Sequence, residues 1–330
     1  MNGRINRFLL TVAVLACVGT RAFPLVIDHT CTNINAIPSE WIDAAIANLH
    51  IAYGHTSHGS QLTDGMQGLA VFKGDARYGF SYGGSGGTNL DLKDPSNCAW
   101  FTAGTCGTPG WAQNTRNILN SHPEINVIIW SWCGEHATAS EADIDTYLGD
   151  MNQLELDYPN VKFVYMTGHR FDTSPTHTWV LRNEQIRQYC AANNKILYDF
   201  ADIESYDPDG TYFGNVRCDD TCNYDANGNG SISVVWMDAD PPIYPYGYPM
   251  AVAPDANWAV QWQNAHPGEW YECRAAHTMP LNANLKAYAA WHLWARLAGW
   301  VPGGGQFTPL TTGADDVESK TGIWLCSYMT

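Results

Sequence analysis

Apolar residues along the chain follow two different spacings, which alternate over most of its length. Short continuous apolar runs are typical of strands buried on both faces of a parallel sheet. Such runs occupy residues 49–53, 125–131, 161–166 and 195–200. Apolar positions three and four residues apart predict helices in residues 39–46, 111–120, 140–154, 178–192 and 284–297. Strands that alternate with helices predict an α/β fold, a three-layer α/β/α sandwich with a doubly wound parallel sheet.

Two of these helices begin with capping signals. Ser39 stands just before the apolar positions of the first helix and predicts its N-cap. Ser140 and Asp143 have the spacing of a capping box, in which each side chain bonds the backbone N–H of the other residue.

The alternation is interrupted twice, by residues 74–110 and by residues 206–272. The first stretch is rich in glycine and predicts a long loop. The second is rich in Asp, Pro, Gly and Tyr and is too long for a simple connection. We interpret it as a long loop-rich insertion over the sheet edge or the site, within a single domain of residues 23–301. Residues 302–330 are acidic and rich in Gly and Thr, and they predict a C-terminal linker.

Residues 1–22 have the layout of a secretory signal peptide. Arg4 and Arg7 form a basic region, residues 8–18 an apolar one, and residues 20–22 offer a small-residue cleavage site. A weaker alternative is a lipoprotein anchored at Cys17. We therefore expect a secreted, extracellular protein, and no other segment predicts a membrane span.

The composition narrows the class of partner. A formal net charge of −16 argues against nucleic acid and against anionic membrane surfaces, because both require basic patches. The chain has 14 Trp and 17 Tyr, whose aromatic faces can stack on sugar rings, although most of them are expected to belong to the core.

The chain has 10 cysteines, and export predicts that some of them form disulfides. Cys98 with Cys106, and Cys218 with Cys222, are close enough in sequence to close small loops. Their connectivity does not follow from spacing alone. Without Cys17 the number is odd, which leaves at least one free thiol, for example a buried Cys133.

The segment after the first predicted strand has the richest chemistry. Residues 54–60 contain two histidines, two serines and two glycines, and an apolar helical pattern follows. A strand, a sharp turn and a helix form the arrangement that exposes a nucleophilic Ser57 hydroxyl near helix N–H groups. His55 and His58 flank this serine and could bind substrate or cap the turn. Ser60 is the competing nucleophile, expected already inside the helix.

Four stretches resemble sequence blocks of the SGNH (GDSL-type) hydrolase superfamily. They are residues 55–59 around the nucleophile, 128–135 at the end of the second strand, 183–199 in a late helix and strand, and 277–282 before the last helix. The resemblance covers residues 45–200 and 270–300 and implies the SGNH, flavodoxin-like form of the α/β sandwich.

The resemblance implies a serine esterase in which Ser57 is the nucleophile and His277 the general base. It places Gly134 and Glu135 where the superfamily binds the oxyanion or substrate, but the superfamily's Asn is absent there. Glycines of the loop 83–87 could supply an oxyanion N–H instead.

The superfamily's third catalytic residue has no counterpart in this chain. Arg274 stands where Asp is usual, three residues before His277. Glu272 or a backbone carbonyl could orient the imidazole. The resemblance therefore implies a Ser57–His277 dyad and not a full triad.

Two further polar residues, His169 and Asp172, follow the third predicted strand. Because ligands of open α/β sheets bind beyond the carboxyl ends of the strands, both could meet Ser57 and Gly134 there. They could bind substrate or form a supporting ion pair with Arg170.

The predicted insertion contains a segment that matches the first half of an EF-hand or dockerin-type calcium loop. Oxygen-bearing side chains stand at alternate positions, namely Asp225, Asn227, Asn229 and Ser231, and a glycine occupies the sixth position. The twelfth position is Trp236, so Asp238 or Asp240 would have to supply the missing carboxylate. An ordinary Asn-Gly turn is the alternative. Any bound Ca²⁺ would be structural, and no cofactor is expected for catalysis.

Three functions fit these features. The first is a secreted serine esterase that removes acyl groups, acetyl above all, from a polysaccharide or another extracellular ester. The second is a non-catalytic glycan-binding or surface protein on the same fold. The third is a metal-dependent hydrolase that uses His55, His58, His169 or His277.

Overall fold

Seven parallel strands form the central sheet of the protein. A computed structural model describes residues 24–84, 86–94, 110–170, 177–238 and 247–303. The strands are β1 (Val26–Ile27), β2 (His50–Gly54), β3 (Phe80–Ser81), β4 (Leu90–Lys93), β5 (Val127–Trp130), β6 (Lys162–Met166) and β7 (Ile196–Tyr198). Their order in the sheet is β1-β7-β6-β5-β2-β4-β3. The four predicted strands are β2, β5, β6 and β7, and their parallel pairing is confirmed.

Helices cover both faces of this sheet and complete three layers. They are α1 (Ser39–Asn48), α2 (Ser60–Lys73), α3 (Trp111–Ser121), α4 (Glu141–Asp157), α5 (Thr178–Ala192), α6 (Phe200–Ile203), α7 (Trp258–Ala265) and α8 (Pro280–Leu297). Alternate residues of one strand enter opposite cores, as Ile128 and Ile129 do in β5. One core is shared with α1, α2 and α8, and the other with α3, α4 and α5. The predicted α/β sandwich is confirmed at this level.

The helix predictions hold with one exception. The capping box of α4 is formed, since the Asp143 N–H donates to Ser140 Oγ (3.2 Å) and the Ser140 N–H donates to Asp143 Oδ2 (2.8 Å). Helix α1 instead includes Ser39, and its N-cap is Pro38, which makes no side-chain capping bond. The Ser39 cap prediction was therefore wrong by one position.

The glycine-rich stretch 74–110 contains two edge strands, β3 and β4, and is not only a loop. All four residues of β4 are buried, including Asp91 and Lys93. The Lys93 ammonium lies 3.4 Å from the Asp91 carboxylate. A strand with two buried charges lacks the continuous apolar run used for prediction, which explains why it was missed.

Residues 206–272 are more regular than a loop-rich insertion. They form two small antiparallel pairs and one helix, α7. The pairs are β8 (Asn223–Tyr224) with β11 (Ala256–Asn257), and β9 (Val234–Met237) with β10 (Tyr248–Ala251). The described residues from 24 to Trp300 form one compact unit. No helix in the described residues is both long enough and apolar enough to cross a membrane.

The described cysteines carry thiols. They are Cys31, Cys133, Cys190, Cys218, Cys222 and Cys273. Cys218 and Cys222 are therefore not bonded to each other here, and the Cys222 sulfur lies 3.4 Å from Thr278 Oγ1. The other predicted pair, Cys98 and Cys106, lies outside the described residues.

Helices α2 and α8 cross at very close range on one face of the sheet. A Cβ added to Gly65 of α2 would lie 2.2 Å from the Ala283 carbonyl oxygen of α8. Only glycine allows this backbone approach. The close crossing places the start of α2, which follows Ser57, beside the start of α8, which follows His277.

A buried ion pair connects the crossing of α2 and α8 with the loops at the carboxyl edge of the sheet. Lys286 of α8 is fully buried, and its Nζ donates to Glu204 Oε2 (2.7 Å) and to Gln61 Oε1 (2.5 Å). The Gln61 amide in turn donates to the Ala276 carbonyl (2.5 Å), and the Arg170 N–H donates to the Glu204 carboxylate. Burial lowers the pKa of Lys286, and Glu204 opposes that shift.

Substitution of Lys286 tests this arrangement. Lys286→Met should lower the free energy of unfolding by about 3–5 kcal/mol, because it leaves the Glu204 carboxylate buried without a counter-charge. Lys286→Met/Glu204→Gln should recover part of that loss. The control Arg116→Met removes a half-exposed pair with Asp157 and should cost at most about 1 kcal/mol. Denaturant unfolding measures all three variants, and equal losses for Lys286→Met and Arg116→Met would contradict the account.

Candidate active site

The candidate site lies at the carboxyl edge of the sheet, where the strand order reverses. The strand that follows β2 in the sequence, β3, pairs with β4 on one side of β2, whereas β5 pairs on the other. The loops that leave β2 and β5 here diverge and form a crevice, which is where open α/β sheets bind ligands. Ser57 and His58 follow β2, Cys133 follows β5, and His169 follows β6.

Ser57 and His277 are in hydrogen-bond contact, as the resemblance implied. The distance from Ser57 Oγ to His277 Nε2 is 2.9 Å. Ser60, the competing serine, is the first residue of α2, and its Oγ donates to the Ser57 carbonyl (2.9 Å). Ser57 is therefore the serine that a base contacts.

His277 reaches Ser57 through an unusual backbone conformation. Its φ is +62°, in the left-handed region that residues other than glycine rarely adopt. Strained backbone of this kind persists only where the surroundings hold it, and it clusters at active sites. Here the hydrogen bond from Gln61 to the preceding residue, Ala276, helps to hold it.

The electrostatics keep the His277 imidazole neutral. Burial lowers its pKa from the ordinary value, and the nearby His58 lowers it further, whereas Asp220 opposes the shift. A neutral imidazole can accept the serine proton. In the described residues no hydrogen bond joins Glu272 or Arg274 to this ring, and both are exposed.

A second constellation, absent from the sequence predictions, lies beside the first. The Cys133 sulfur is 3.3 Å from His58 Nδ1, and His58 Nε2 is 2.9 Å from Asp220 Oδ2. The same sulfur is 3.5 Å from Ser57 Oγ. For Cys133 the sequence predicted only a free thiol without a disulfide partner. Asp220 lies in the aperiodic stretch 206–272. The only sequence feature that could have indicated a turn with carboxylates at this position is its neighbour, Asp219.

The three members of this second constellation stabilise one another's charged forms. For His58, burial opposes the charge, but hydrogen bonds to Asp220 and Cys133 outweigh it and raise the pKa to about 9. For Cys133, burial is likewise outweighed, by His58, and the pKa falls to about 5. The pKa of Asp220 is lowered against burial by its hydrogen bond to His58. These shifts favour the thiolate, imidazolium and carboxylate forms over the neutral ones.

His58 is stacked between two other imidazoles. Its ring centroid is 3.7 Å from that of His169, with 7° between the planes, and 4.3 Å from that of His277, with 15°. Burial lowers the pKa of His169 to about 3, with His58 adding to the effect. The His169 Nδ1–H donates to the Arg170 carbonyl (2.7 Å).

The stacking bears on the metal hypothesis. Ligand atoms of His58, His169 and Asp220 lie within 4.8 Å of one another. A bound ion lies along the lone pair of each imidazole, in the plane of that ring. Two rings stacked face to face cannot share one ion in both planes, so this arrangement does not fit a common metal.

The remaining predicted site residues differ in their placement. His55 is buried, and its two ring nitrogens contact Asp94 and the Thr56 carbonyl (2.8 Å). Gly134 is exposed and begins a short 3-10 helix. The Glu135 carboxylate accepts the Cys133 N–H (3.1 Å), and burial raises its pKa. Asp172 lies outside the described residues.

Gly59 allows the nucleophile turn to pack against the neighbouring loop. An added Cβ would lie 2.2 Å from Ser131 Oγ and 2.3 Å from the His55 Cβ. Tyr53 Oη donates to the Gly59 carbonyl (2.9 Å) from the strand below. The turn that bears Ser57 is therefore fixed from two sides.

The predicted calcium loop is a compact turn around one carboxylate. Asp225 accepts the N–H groups of Gly228 (2.7 Å), Asn229 (3.1 Å) and Gly230 (2.7 Å). The Asn229 side chain accepts the N–H and hydroxyl of Ser231. Asn227 donates to Asp255, an unpredicted second carboxylate at this loop. Trp236 is exposed in β9, Asp238 follows that strand, and Asp240 lies outside the described residues.

The carboxylates of Asp225 and Asp255 already accept backbone N–H groups, so the binding of Ca²⁺, which takes oxygen ligands, stays a prediction at this loop. Asp225 and the side-chain oxygens of Asn227, Asn229 and Ser231 would hold it, and Asp255 would add a second charge. The ion would stabilise the loop and take no part in the chemistry around Ser57.

Family models and curated proteins were both searched with this chain, and neither search found a match. The function is therefore inferred from the arrangement of the side chains.

Substitution of Gly59 tests the packing of the turn. Gly59→Ala should lower the free energy of unfolding by about 1–3 kcal/mol, because the methyl group has no space. The control Gly149→Ala lies in α4 with no atom within 4 Å of the added Cβ. It should raise stability by about 0.5–1 kcal/mol. Denaturant midpoints distinguish the two, and a Gly59→Ala variant as stable as the wild type would show that the turn is not constrained.

Calcium binding is tested by thermal melting. Addition of Ca²⁺ to metal-stripped protein should raise the Tm, since a ligand that binds only the native state stabilises it. Asp225→Ala should melt at a lower temperature without calcium and should show no rise with it. Mg²⁺ at equal concentration is the control. The absence of a calcium response in the wild type would remove the prediction.

Proposed function

We propose that the protein is a secreted serine esterase that removes acyl groups, acetyl above all, from a polysaccharide. The observation that carries this proposal is the 2.9 Å contact between Ser57 Oγ and His277 Nε2 at the carboxyl edge of a parallel sheet. A serine hydroxyl becomes a useful nucleophile when an adjacent neutral imidazole takes its proton.

The proposed reaction has two stages. Ser57 Oγ attacks the ester carbonyl while His277 Nε2 accepts its proton, and His277 then protonates the departing sugar hydroxyl. Water attacks the acyl-serine with His277 again as base, which releases the acid and restores Ser57. The lowered pKa of His277 favours the neutral form that both stages need.

The oxyanion would form at the amino end of α2. Helix α2 begins at Ser60, so the N–H groups of His58 and Gly59 precede its first turn. Among the described residues these two N–H groups donate to no protein acceptor. Such groups, with the positive end of the helix dipole, stabilise developing negative charge.

The sheet supports the SGNH resemblance. Its central strands follow the order β4-β2-β5-β6-β7, which is the flavodoxin-like doubly wound order with β2 as the first strand. The serine follows the first strand and the histidine precedes the last helix, as in that superfamily. The chain departs from the superfamily because it lacks the oxyanion-binding Asn and the catalytic Asp. Cys133 and Asp220 are the residues that lie near the dyad instead.

The substrate class rests on the surface and the expected export. Large aromatic side chains are exposed at Tyr82, Tyr212 and Trp236, and such faces stack on sugar rings. The net charge of −16 disfavours polyanionic substrates.

Substitution of the dyad tests the proposal. Ser57→Ala and His277→Ala should each lower kcat for p-nitrophenyl acetate by about three orders of magnitude, and the double variant should be little worse, since the two residues act as one unit. Ser60→Ala is the matched control, because its hydroxyl donates to the Ser57 carbonyl and not to an imidazole, and it should retain activity.

Three outcomes would contradict the proposal. Loss of activity in Ser60→Ala with retention in Ser57→Ala would place the nucleophile elsewhere. Activity that survives both serine variants but is abolished by a chelator would favour the metal-dependent alternative. Wild-type protein that binds glycans without turnover would favour the non-catalytic one.

A further inference from the structure

We propose that Cys133, His58 and Asp220 form a second nucleophilic centre in this site, in which the Cys133 sulfur attacks an ester or thioester carbonyl and holds the acyl group as a thioester. The inference rests on the crevice of the proposed esterase but does not require that Ser57 be the nucleophile.

The first argument is geometric completeness. Cys133 Sγ is 3.3 Å from His58 Nδ1, and Asp220 Oδ2 is 2.9 Å from His58 Nε2. These are the contacts of a nucleophile with a base, and of that base with an orienting carboxylate. Together they use both nitrogens of the His58 ring. The Ser57–His277 pair has the first two members, whereas its imidazole has no carboxylate partner among the described hydrogen bonds.

The second argument is position. The Cys133 sulfur is 3.5 Å from Ser57 Oγ, so a carbonyl carbon within reach of the hydroxyl is also within reach of the sulfur. Cys133 is half-buried, which leaves it accessible from the crevice. Reactive cysteines occupy such partly exposed sites beside a cation, whereas structural cysteines are enclosed in apolar surroundings.

The third argument is the contrast between Cys133 and the other thiols in the described part of the chain. Burial raises the pKa of Cys31, Cys190, Cys218 and Cys273, whereas His58 lowers that of Cys133. The titratable groups that face the Cys133–His58 pair are Asp220, Glu135, His169 and His277. Of these, Asp220 favours the charged His58, and the two imidazoles are kept neutral.

The chemical step balances without an external oxidant or metal. The thiolate electron pair forms a C–S bond to the carbonyl carbon, and the C–O bond of the ester breaks. The departing alkoxide takes the proton from His58 Nδ1. Water then attacks the thioester, His58 Nδ1 accepts one water proton, and the carboxylic acid leaves as the thiolate–imidazolium pair returns.

The experiment begins with alkylation of native protein by iodoacetamide, read at each cysteine by peptide mass spectrometry. At pH 6, Cys133 should react on the order of tenfold faster than Cys31, which is the internal control. This estimate combines a far larger thiolate fraction with the lower nucleophilicity of a low-pKa thiolate. The Cys133 rate should stay nearly constant from pH 6 to 8, whereas the Cys31 rate should rise nearly tenfold per pH unit.

Acyl capture gives the second readout. Ser57→Ala, which removes the competing hydroxyl, should release one equivalent of p-nitrophenol from p-nitrophenyl acetate in a burst. The acetyl group should then be found on Cys133 and should be removed by neutral hydroxylamine. Ser57→Ala/Cys133→Ala should show no burst. Asp220→Asn should slow both alkylation and capture, and its circular dichroism spectrum checks its folding.

The two proposals fail separately. Fast alkylation and acyl capture at Cys133, together with a Ser57→Ala variant that turns over esters as fast as the wild type, would overturn the serine nucleophile and leave this inference standing. An ordinary pH profile for Cys133 alkylation, or an acetyl group on any other residue of Ser57→Ala, would overturn the inference, whatever the activity of the wild type. The alkylation profile needs no variant, so misfolding of Asp220→Asn does not affect it.

Discussion

The arrangement of the site depends on how one buried ammonium group is satisfied. Lys286 is fully enclosed, and a buried charge must be paired and hydrogen-bonded. Its two partners, Glu204 and Gln61, each bond a second group at the edge of the crevice. Glu204 accepts the N–H of Arg170, next to His169, and Gln61 donates to Ala276, next to His277. Because Gln61 lies in the first turn of α2, the same lysine also fixes the start of the helix that follows Ser57 and His58.

A second constraint comes from residues 206–272, which supply Asp220. The turn that bears it is held by the Asp219 carboxylate, which accepts the Asn223 N–H (3.0 Å), and by Asn257, whose amide donates to the Thr221 carbonyl (2.7 Å). Burial and the adjacent Asp220 raise the pKa of Asp219 to about 7. Asp219 can therefore hold the turn as a neutral acid, which spares Asp220 a like-charge neighbour and leaves its charge for His58.

The sequence predicted those parts of the molecule whose physics is periodic or local. Strands buried on both faces must be apolar throughout, so β2, β5, β6 and β7 were visible, and the α4 capping box is a three-residue signal. Strand β4 was not visible, because Asp91 and Lys93 neutralise each other inside the protein. Ser57 was predicted from the turn that follows a strand, and His277 from the resemblance to the SGNH superfamily. Asp220 could not be found, because its contact with His58 crosses 162 residues and follows no pattern.

The two nucleophiles are coupled, because the Ser57 hydroxyl has one proton and two acceptors within reach. When His277 is neutral, its Nε2 can accept that proton at 2.9 Å, and Ser57 is the activated group. When His277 is protonated, Nε2 must donate, so the serine proton points to the Cys133 sulfur at 3.5 Å instead. That bond stabilises the thiolate and removes the base from the serine. In the two proposed reactions, the protonation state of His277, which the charge on His58 biases towards neutral, would therefore decide which nucleophile is active, and acidification would favour the sulfur over the hydroxyl.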